Sequence, residues 1–431
     1  MNFKPTEPLS GFIELLPPGQ KCFDECARRM RRVLETAGFA HLDLPCIERA
    51  EVLTDKENWD EIETQMYLFQ KGDTKMGLRY DQTVGLARFV AGRANGLIFP
   101  FRAYQFGKNF RGERPKRGRY REFYQMDLDI LGINTLSLNY DAEIVAVLSK
   151  AYDSCRDYIG RTFIKVGSRK FWNAMFQYMG LADEQSREVF VLIDKKDKIG
   201  DEFIPAVYKI IGDKVDEVCA VFSNGYETFT GRTAELDAAI AEIDEFMFQL
   251  NALGIKNTYL DLSIMRGHSY YTGIVFEVFL ENWPELGAVG GGGRYEDLTS
   301  KFSKNKIVGV GAAIGFSRMM ITLLDEGKID ISEFDAPIDA CILIMSQEFV
   351  LYAMAILAEL RNNDIVAVPF LDTDKKFRTQ MEFSDKIKSK FSMIIGEDEV
   401  KDNVVTIKNM NTGEQGRFTI DDAVKLLIKT K

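Results

Sequence analysis

The order of predicted strands and helices changes near residue 330, and this change constrains the fold more than any other feature. Before it, long strands pair as hairpins around a helical stretch, whereas residues 337–431 alternate strand–helix–strand–helix. A polar segment containing Asp and Gly, residues 326–336, separates the two patterns. We therefore expect an α+β domain in residues 1–325, a linker, and a small α/β domain. The 431 residues are enough for two such domains.

A long hairpin dominates the first of these domains. Its predicted strands cover residues 100–110 and 120–131, and its tip covers residues 113–118. A helix is predicted over residues 20–36, where apolar side chains recur at helical spacing. Residues from about 170 to 235 are mostly helical in pattern and carry no chemical motif. We interpret them as a helical insertion between two halves of an antiparallel sheet.

Positive charge is concentrated in this hairpin. The whole chain is acidic, with a formal net charge of −10, yet residues 102–121 hold eight Lys and Arg against one acid. Strand alternation would place Arg119 and Arg121 on one face, where Arg111 of the opposing strand could join them. Converging guanidinium groups suit phosphate oxygens, and Phe123 on the same face could stack on a base. The alternatives are a solvated charged loop and a ladder of salt bridges.

Three further signals accompany the basic hairpin. Its second strand continues with Gln125, Asp127 and Asp129, polar side chains that are costly to bury without a ligand. The glycine run at 290–293 either forms a flexible loop or allows close approach of another group to the backbone. The segment 265–273 carries two adjacent tyrosines, one of which we expect to point into a pocket. Its histidine, His268, follows a glycine and has either a structural role or a role in catalysis.

Cysteine and histidine usage excludes several classes of protein. The chain has only two histidines and lacks Cys-x-x-Cys and Gly-x-Ser-x-Gly motifs, which argues against a His-rich zinc site, a redox pair and a serine hydrolase. No apolar run approaches the about 20 residues of a membrane span. The first residues lack the pattern of a secretory signal. We therefore expect a cytoplasmic protein that does not act at a membrane.

Taken together, these segments resemble the motifs of class II aminoacyl-tRNA synthetases, specifically the histidyl-tRNA synthetase family. The resemblance covers nearly the whole chain, and its motifs occur in the family's order. The matching segments are Pro45 for the motif 1 proline, Asn109–Gln125 for motif 2, Arg266–Glu277 for the histidine-specific motif, Gly291–Leu298 for the glycine-rich segment and Gly311–Arg318 for motif 3. Residues 337–431 are similar to the family's anticodon-binding domain.

The resemblance implies that the protein activates L-histidine with ATP to histidyl-adenylate and transfers it to the 3' end of histidine tRNA. It implies catalytic roles for Arg266 and Arg111. It implies ATP contacts from Arg111, Glu113, Arg119, Tyr120, Phe123 and Arg318. It implies histidine contacts from Asp81, Thr83, Arg111, Gln125, Asp129, Arg266, Tyr270 and Tyr271. It implies contacts to the tRNA acceptor end from Arg114, Lys116 and Arg117.

The resemblance also implies a homodimer that uses ATP with Mg²⁺ as co-substrate, without a tightly bound cofactor or a protein metal cluster. Two alternatives stay open. One is a catalytically silent paralogue that senses histidine as a regulatory subunit of ATP phosphoribosyltransferase, and the other is a different class II synthetase. The arginines of the three motifs and the C-terminal α/β domain favour the enzyme over the sensor. Asp81 and Asp129 stand where many bacterial members carry Glu.

Overall fold

Two compact units make up the molecule. The computed structural model describes residues 5–54, 65–265, 271–296, 299, 302, 304, 306–334 and 338–430. The first unit spans Met1–Asp330 and the second spans Ile331–Lys431. Each unit has its own sheet and its own cluster of buried apolar side chains.

Short strands and helices begin the first unit. They are α1 (Pro17–Thr36), β1 (Ala40–His41), β2 (Ile47–Arg49), α2 (Ala50–Leu53), β3 (Leu68–Lys71), β4 (Thr74–Leu78) and α3 (Thr83–Arg93). Strands β2, β4 and β3 form a small antiparallel sheet. The sequence predicts that helix α1 starts at residue 20. It begins earlier, at Pro17, because Pro17 and Pro18 fit the first turn of a helix.

An eight-stranded sheet forms the centre of the first unit. Besides β1 it contains β5 (Phe101–Phe110), β6 (Glu122–Ile133), β7 (Thr162–Ser168), β8 (Thr258–Leu260), β9 (Tyr271–Leu280), β10 (Gly290–Tyr295) and β11 (Ile307–Ile314). Their order is β1-β5-β6-β11-β10-β9-β7-β8. The inner strands pair antiparallel, whereas the edge pairs β1–β5 and β7–β8 are parallel. The predicted α+β fold with an antiparallel core is therefore confirmed.

The predicted hairpin is formed by β5 and β6. Its register runs from Phe101 opposite Leu131 to Phe110 opposite Glu122, so residues 111–121 form the connecting loop. Side chains alternate between the two faces of a strand. One face of β6 therefore carries four consecutive odd-numbered residues, which are Phe123, Gln125, Asp127 and Asp129.

Helices fill the segment between β7 and β8. Helices α4 (Asn139–Asp153) and α5 (Arg156–Ile159) precede β7. Between the two strands lie α6 (Arg169–Tyr178), α7 (Asp183–Asp194), α8 (Lys196–Ile199), α9 (Phe203–Ile211), α10 (Val215–Asn224) and α11 (Ala234–Ala252). The helical pattern predicted for residues of about 170 to 235 is thus observed, and it extends to Ala252. Helix α12 (Phe316–Asp325) follows β11.

The second unit is a five-stranded sheet with helices. Its strands are β12 (Ala340–Ile344), β13 (Ala367–Phe370), β14 (Phe391–Ile395), β15 (Val405–Asn409) and β16 (Gln415–Phe418), in the order β13-β12-β14-β15-β16. Its helices are α13 (Val350–Asn362), α14 (Phe377–Lys386), α15 (Glu397–Asp402) and α16 (Ile420–Lys429). Strand β12 is buried throughout and pairs in parallel with β13 and β14, as expected of a continuous apolar run in an α/β sheet.

Candidate active site

A pocket of ≈ 310 Å³ opens on the face of the large sheet that carries the odd-numbered residues of β6. Strands β6, β9, β10 and β11 contribute to it, together with the 111–121 loop and the first residues of α3 and α12. Its polar and aromatic lining residues are Asp81, Thr83, Arg111, Glu113, Arg119, Tyr120, Phe123, Gln125, Asp127, Asp129, Tyr271, Glu277, Tyr295 and Arg318. A strand rises about 3.3 Å per residue, so Phe123 and Asp129 mark ends of the pocket about 20 Å apart.

The end of the pocket next to the loop, which we call the arginine end, is rich in guanidinium groups. The Arg111 guanidinium lies 5.3 Å from the centre of the Phe123 ring, and its Nε donates to the carbonyl of Tyr80 at 3.3 Å. Arg119 Nη1 donates to Glu113 Oε2 at 3.1 Å. Arg318 donates to the carbonyl oxygen of Leu286. These three cations line the same pocket as the Phe123 ring and can bind phosphate oxygens beside a stacked base.

The loop is held against the rest of the first unit at this end. The hydroxyl of Tyr120 lies 3.2 Å from that of Thr322, which belongs to α12. Burial raises the pKa of Tyr120 further above its usual value. The contact joins the loop to the helix that carries Arg318. The arginine end therefore combines side chains from two separate segments of the chain.

The opposite end of the pocket, which we call the acid end, contains three carboxylates. Asp129 Oδ1 accepts a hydrogen bond from the Tyr295 hydroxyl at 2.7 Å. Asp127 Oδ1 accepts from Gln125 Nε2 at 2.7 Å, and Asp81 Oδ1 accepts from the backbone N–H of Val84 at 3.0 Å. Asp127 and Asp129 are 3% and 6% exposed, so neither carboxylate is compensated by bulk water. A ligand with a cationic amine would provide the missing positive charge.

Burial makes ionisation of the acid end costly. It raises the pKa of Asp129 to about 7, although the hydrogen bond from Tyr295 lowers it. Burial and the charge of Asp129 raise the pKa of Asp127 well above its usual range. Burial likewise raises the pKa of Asp81, against the hydrogen bond from the backbone of Val84. The acid end thus stores unfavourable free energy that an ammonium group would relieve.

Glycines give the acid end its space. A Cβ atom at Gly311 would overlap the Asp129 carboxylate, and one at Gly309 would overlap the Tyr295 ring. The glycine run 290–293 forms strand β10, so the alternative of a flexible loop is wrong. A Cβ at Gly292 would overlap the carbonyl of Gly311 in the neighbouring strand. These positions tolerate only glycine because strand backbones and buried acids approach closely.

The structure brings together all the predicted ATP and histidine residues that it describes. They are Asp81, Thr83, Arg111, Glu113, Arg119, Tyr120, Phe123, Gln125, Asp129, Tyr271 and Arg318, and each lines the pocket. The predicted residues Arg266 and Tyr270, together with His268 of the same segment, lie outside the described residues.

The prediction that Arg121 joins Arg111 and Arg119 on one face is wrong. Arg121 Nε donates to the carbonyl of Glu113 at 3.2 Å, and its Nη1 donates to that of Ser10 at 3.3 Å. Strand β6 begins only at Glu122, so alternation does not extend back to Arg121. Arg121 therefore supports the loop from outside the pocket, whereas Arg119, which lies in the loop, lines the pocket.

The three residues expected to contact the tRNA acceptor end lie at the loop tip. Arg114 and Lys116 are exposed. Arg117 forms ion pairs within the first unit: its Nε lies 2.6 Å from Glu326 Oε1 and its Nη2 lies 3.3 Å from Glu285 Oε1. The tip thus presents two exposed cations and a third that is already paired.

Three polar or aromatic residues of the pocket were not assigned an ATP or histidine contact from the sequence. They are Asp127, Glu277 and Tyr295. Asp127 follows the alternation of β6, and Glu277 lies six residues after Tyr271, on the same face of β9. Alternation along β6 already marked Asp127 as costly to bury without a ligand, and alternation along β9 could have pointed to Glu277. Tyr295 reaches Asp129 from another strand, and no pattern within one strand predicts that contact.

The described side chains include no group of three or more His, Cys, Asp and Glu arranged to hold a metal ion. Across the same part of the chain, no helix has both the length and the apolar character needed to cross a membrane.

Comparison with known proteins places the chain in a family. The family model described as histidyl-tRNA synthetase matches residues 11–323, and the one described as anticodon binding domain matches residues 339–430. The histidine–tRNA ligase of Clostridium tetani is 35% identical over 439 residues, covering 97% of each chain. The solved histidyl-tRNA synthetase from Nostoc sp. PCC 7120 superimposes with a TM-score of 0.86 at 26% identity, covering 100% of both chains.

A second solved structure shares the fold alone. It is described as an ATP phosphoribosyltransferase regulatory subunit/histidyl-tRNA synthetase from Bacillus halodurans, with a TM-score of 0.74 and 19% identity. It covers 89% of this chain and 98% of its own. The family match and the 35% identity over nearly the whole chain carry the assignment: the chain belongs to the histidyl-tRNA synthetase family.

Proposed function

We propose that the protein activates L-histidine with ATP to histidyl-adenylate and then transfers the histidyl group to the 3' end of histidine tRNA. The observation that carries the proposal is the two-ended pocket, which joins guanidinium groups and an aromatic ring to buried carboxylates. One end suits the phosphates and base of a nucleotide, and the other suits the amine of an amino acid. Relatives named histidine–tRNA ligase support the same activity.

The arginine end would bind ATP, with Mg²⁺ accompanying the phosphates. Arg111 would hold the α-phosphate, Arg119 would reach the distal phosphates, and Phe123 and Arg318 would enclose the adenine. Glu113 and Tyr120 complete the ATP-binding set. Attack on phosphorus needs dispersed positive charge and correct alignment rather than covalent help from the protein. Arginines fixed before the reaction meet both needs.

The acid end would bind histidine. Asp81, Thr83, Gln125 and Asp129 would receive the α-amino group, with Arg111 near the carboxylate that attacks phosphorus. Tyr271 would line the imidazole pocket. Arg266 and Tyr270, assigned by resemblance to the histidine-specific motif, complete the proposal: Arg266 would stabilise charge on the α-phosphate, and Tyr270 would contact the imidazole.

The tRNA would contact both units. Arg114, Lys116 and Arg117 would meet the acceptor end, and residues 337–431 would bind the anticodon as a separate domain after the linker 326–336. The match of residues 339–430 to an anticodon binding domain supports that role. We further propose a cytoplasmic homodimer, which analytical ultracentrifugation at micromolar concentration tests.

The decisive experiment is ATP–pyrophosphate exchange with a panel of amino acids. We expect exchange with L-histidine alone. A histidine sensor related to the regulatory subunit would bind histidine without exchange, and another class II synthetase would exchange with a different amino acid. Either result would replace the proposed function.

A further inference from the structure

Arg79 is a buried guanidinium group beside the pocket and is not among its lining residues. It is 5% exposed. Its Nε donates to the carbonyl of Lys108 at 2.8 Å, and its Nη1 donates to that of Leu44 at 2.9 Å. Within the described part of the chain, no carboxylate lies within ion-pair distance of it. A buried cation without a direct counter-ion is costly, so its charge must be balanced from further away.

The backbone places this charge next to the acid end. A Cβ atom at Gly107 would overlap Arg79 Nη2, so the guanidinium lies across this glycine. Gly107 pairs with Gln125 in the hairpin register, and directly paired residues share one face of a sheet. Asp127 follows two residues later on that face, and Asp81 lies two residues after Arg79 itself. Arg79 therefore lies over β5 on the same face of the sheet as the pocket, at the flank of the acid end.

We propose that Arg79 is the internal counter-charge of the acid end and shifts its carboxylates toward the ionised form that receives the α-ammonium group of the substrate. This inference rests on the proposed function. Arg79 acts as a positioning residue, because it reaches the ligand only through the carboxylates. A buried counter-charge lowers the pH at which carboxylates with so little solvent contact become anionic and can receive the amine.

The charges around the acid end agree with this role. Burial raises the pKa of Asp81, whereas the positive charges of Arg111 and Arg79 lower it. Burial and Asp129 raise the pKa of Asp127, whereas the hydrogen bond from Gln125 and the charge of Arg79 lower it. The other ionisable groups that face these acids, or lie beside them, are Tyr80, Tyr271, Glu277 and Tyr295. Arg111 lines the pocket, where a bound phosphate would neutralise its charge. Arg79 is then the cation that remains beside Asp81 and Asp127.

The test measures L-histidine affinity by calorimetry from pH 6 to 8.5 on the full-length protein. Removing the positive charge with Arg79→Met should move the midpoint of the pH dependence up by about one pH unit, which weakens binding about tenfold on the acidic side. Binding should approach the wild-type value at pH 8.5, where the carboxylates ionise without help. Arg79→Lys keeps the charge and should keep the wild-type midpoint. The imidazole of the ligand titrates identically in every comparison.

Matched variants separate charge from structure. Arg88→Met removes a nearby arginine that pairs with Glu48 and should leave the midpoint unchanged. Gly107→Ala keeps the charge but displaces the guanidinium, so it should also shift the midpoint upward. It tests the same inference if Arg79→Met does not fold. Equal weakening at every pH in both Arg79→Met and Gly107→Ala would overturn the inference while leaving the proposed function intact. Failure of the wild-type protein to bind L-histidine would overturn the proposed function, and this inference with it.

Discussion

The two ends of the pocket carry opposite charges and are built in opposite ways. The arginine end comes largely from a loop, and its guanidinium groups are half-buried or exposed, with partners such as Glu113 within reach of water. The acid end comes from central strands, and its carboxylates are buried behind glycines. Exposed ion pairs exchange partners at little cost, whereas buried charges depend on their surroundings. The arginine end is therefore suited to phosphates that arrive and leave, and the acid end is preorganised for one amine.

The largest expected effect is at the arginine end. Arg111→Ala should reduce the rate of histidine-dependent pyrophosphate exchange about 10²–10³-fold, because its charge is needed most as negative charge builds on the α-phosphate. Arg121→Ala is the matched control, since Arg121 lies outside the pocket, and it should stay within a few-fold of wild type. Steady-state exchange kinetics with both variants check this. Similar losses in both variants would mean that the loop needs its arginines for folding rather than for catalysis.

The next effect tests the acid end. Asp129→Asn keeps an oxygen that accepts from Tyr295 but removes the charge, so L-histidine affinity should fall about 10–100-fold, as for a hydrogen bond to a charged group. ATP affinity should change little, because the phosphates lie at the other end. Calorimetry with each ligand separately checks the split. An equal loss of ATP affinity would show that the two ends do not act independently.

The same substitution should stabilise the empty protein. The folded-state pKa of Asp129, about 7, lies above the usual value near 4, so the folded protein binds the extra proton between these values. Its unfolding free energy therefore falls as pH rises from 4 to 7. The full shift corresponds to about 4 kcal/mol, and we expect Asp129→Asn to recover about 2 kcal/mol above pH 7, since a buried amide also has a desolvation cost.

Denaturant unfolding of wild type and Asp129→Asn at pH 4.5 and pH 8 measures this gain. The variant should be more stable at pH 8, and the difference should shrink toward pH 4.5, where wild-type Asp129 is protonated. A gain that does not depend on pH would assign it to packing rather than to the buried charge.

The sequence predicts the acid and arginine ends unequally. Alternation along β6 places Phe123, Gln125 and Asp129 correctly, because a period of two is a local property of a strand. It fails for Arg121, because the strand starts only at Glu122 and the backbone N–H of Arg121 donates to the carbonyl of Gly11 instead. The family resemblance assigns roles to the described pocket residues, which lie on several different segments. Alternation within a single strand could not have shown that these residues meet.

The features that escaped prediction are relations between distant segments. Tyr295 meets Asp129 because β10 and β6 both neighbour β11. Arg79 lies across Gly107 because the segment before α3 packs on the hairpin. Neither pairing leaves a periodic or compositional signal in a single sequence. The glycines at 309 and 311 are conspicuous in the sequence, but the side chains that require them become visible only in the fold.

The smallest expected effect concerns the loop tip, where the arginine end meets solvent. Arg117 pairs with Glu326 and Glu285, and its side chain is 46% exposed, so the pairs hold the tip only weakly. Glu326→Gln should free Arg117 for tRNA phosphates and lower the KM for tRNA about twofold to threefold at low salt. Pyrophosphate exchange should be unchanged, because neither Arg117 nor Glu326 lines the pocket.

Salt and a double variant decide whether this small effect is electrostatic. The gain from Glu326→Gln should vanish at high ionic strength, where exposed charges are screened. It should also vanish in an Arg117→Ala background, because the carboxylate then has no cation to withhold from the tRNA. Persistence at high ionic strength would mean that the effect is not electrostatic. Persistence in the Arg117→Ala background would mean that Glu326 acts on tRNA by its own repulsion. In that case the negative charge around the arginine end, rather than the exchange of ion-pair partners, would control how its cations meet tRNA, and this would be what distinguishes it from the acid end.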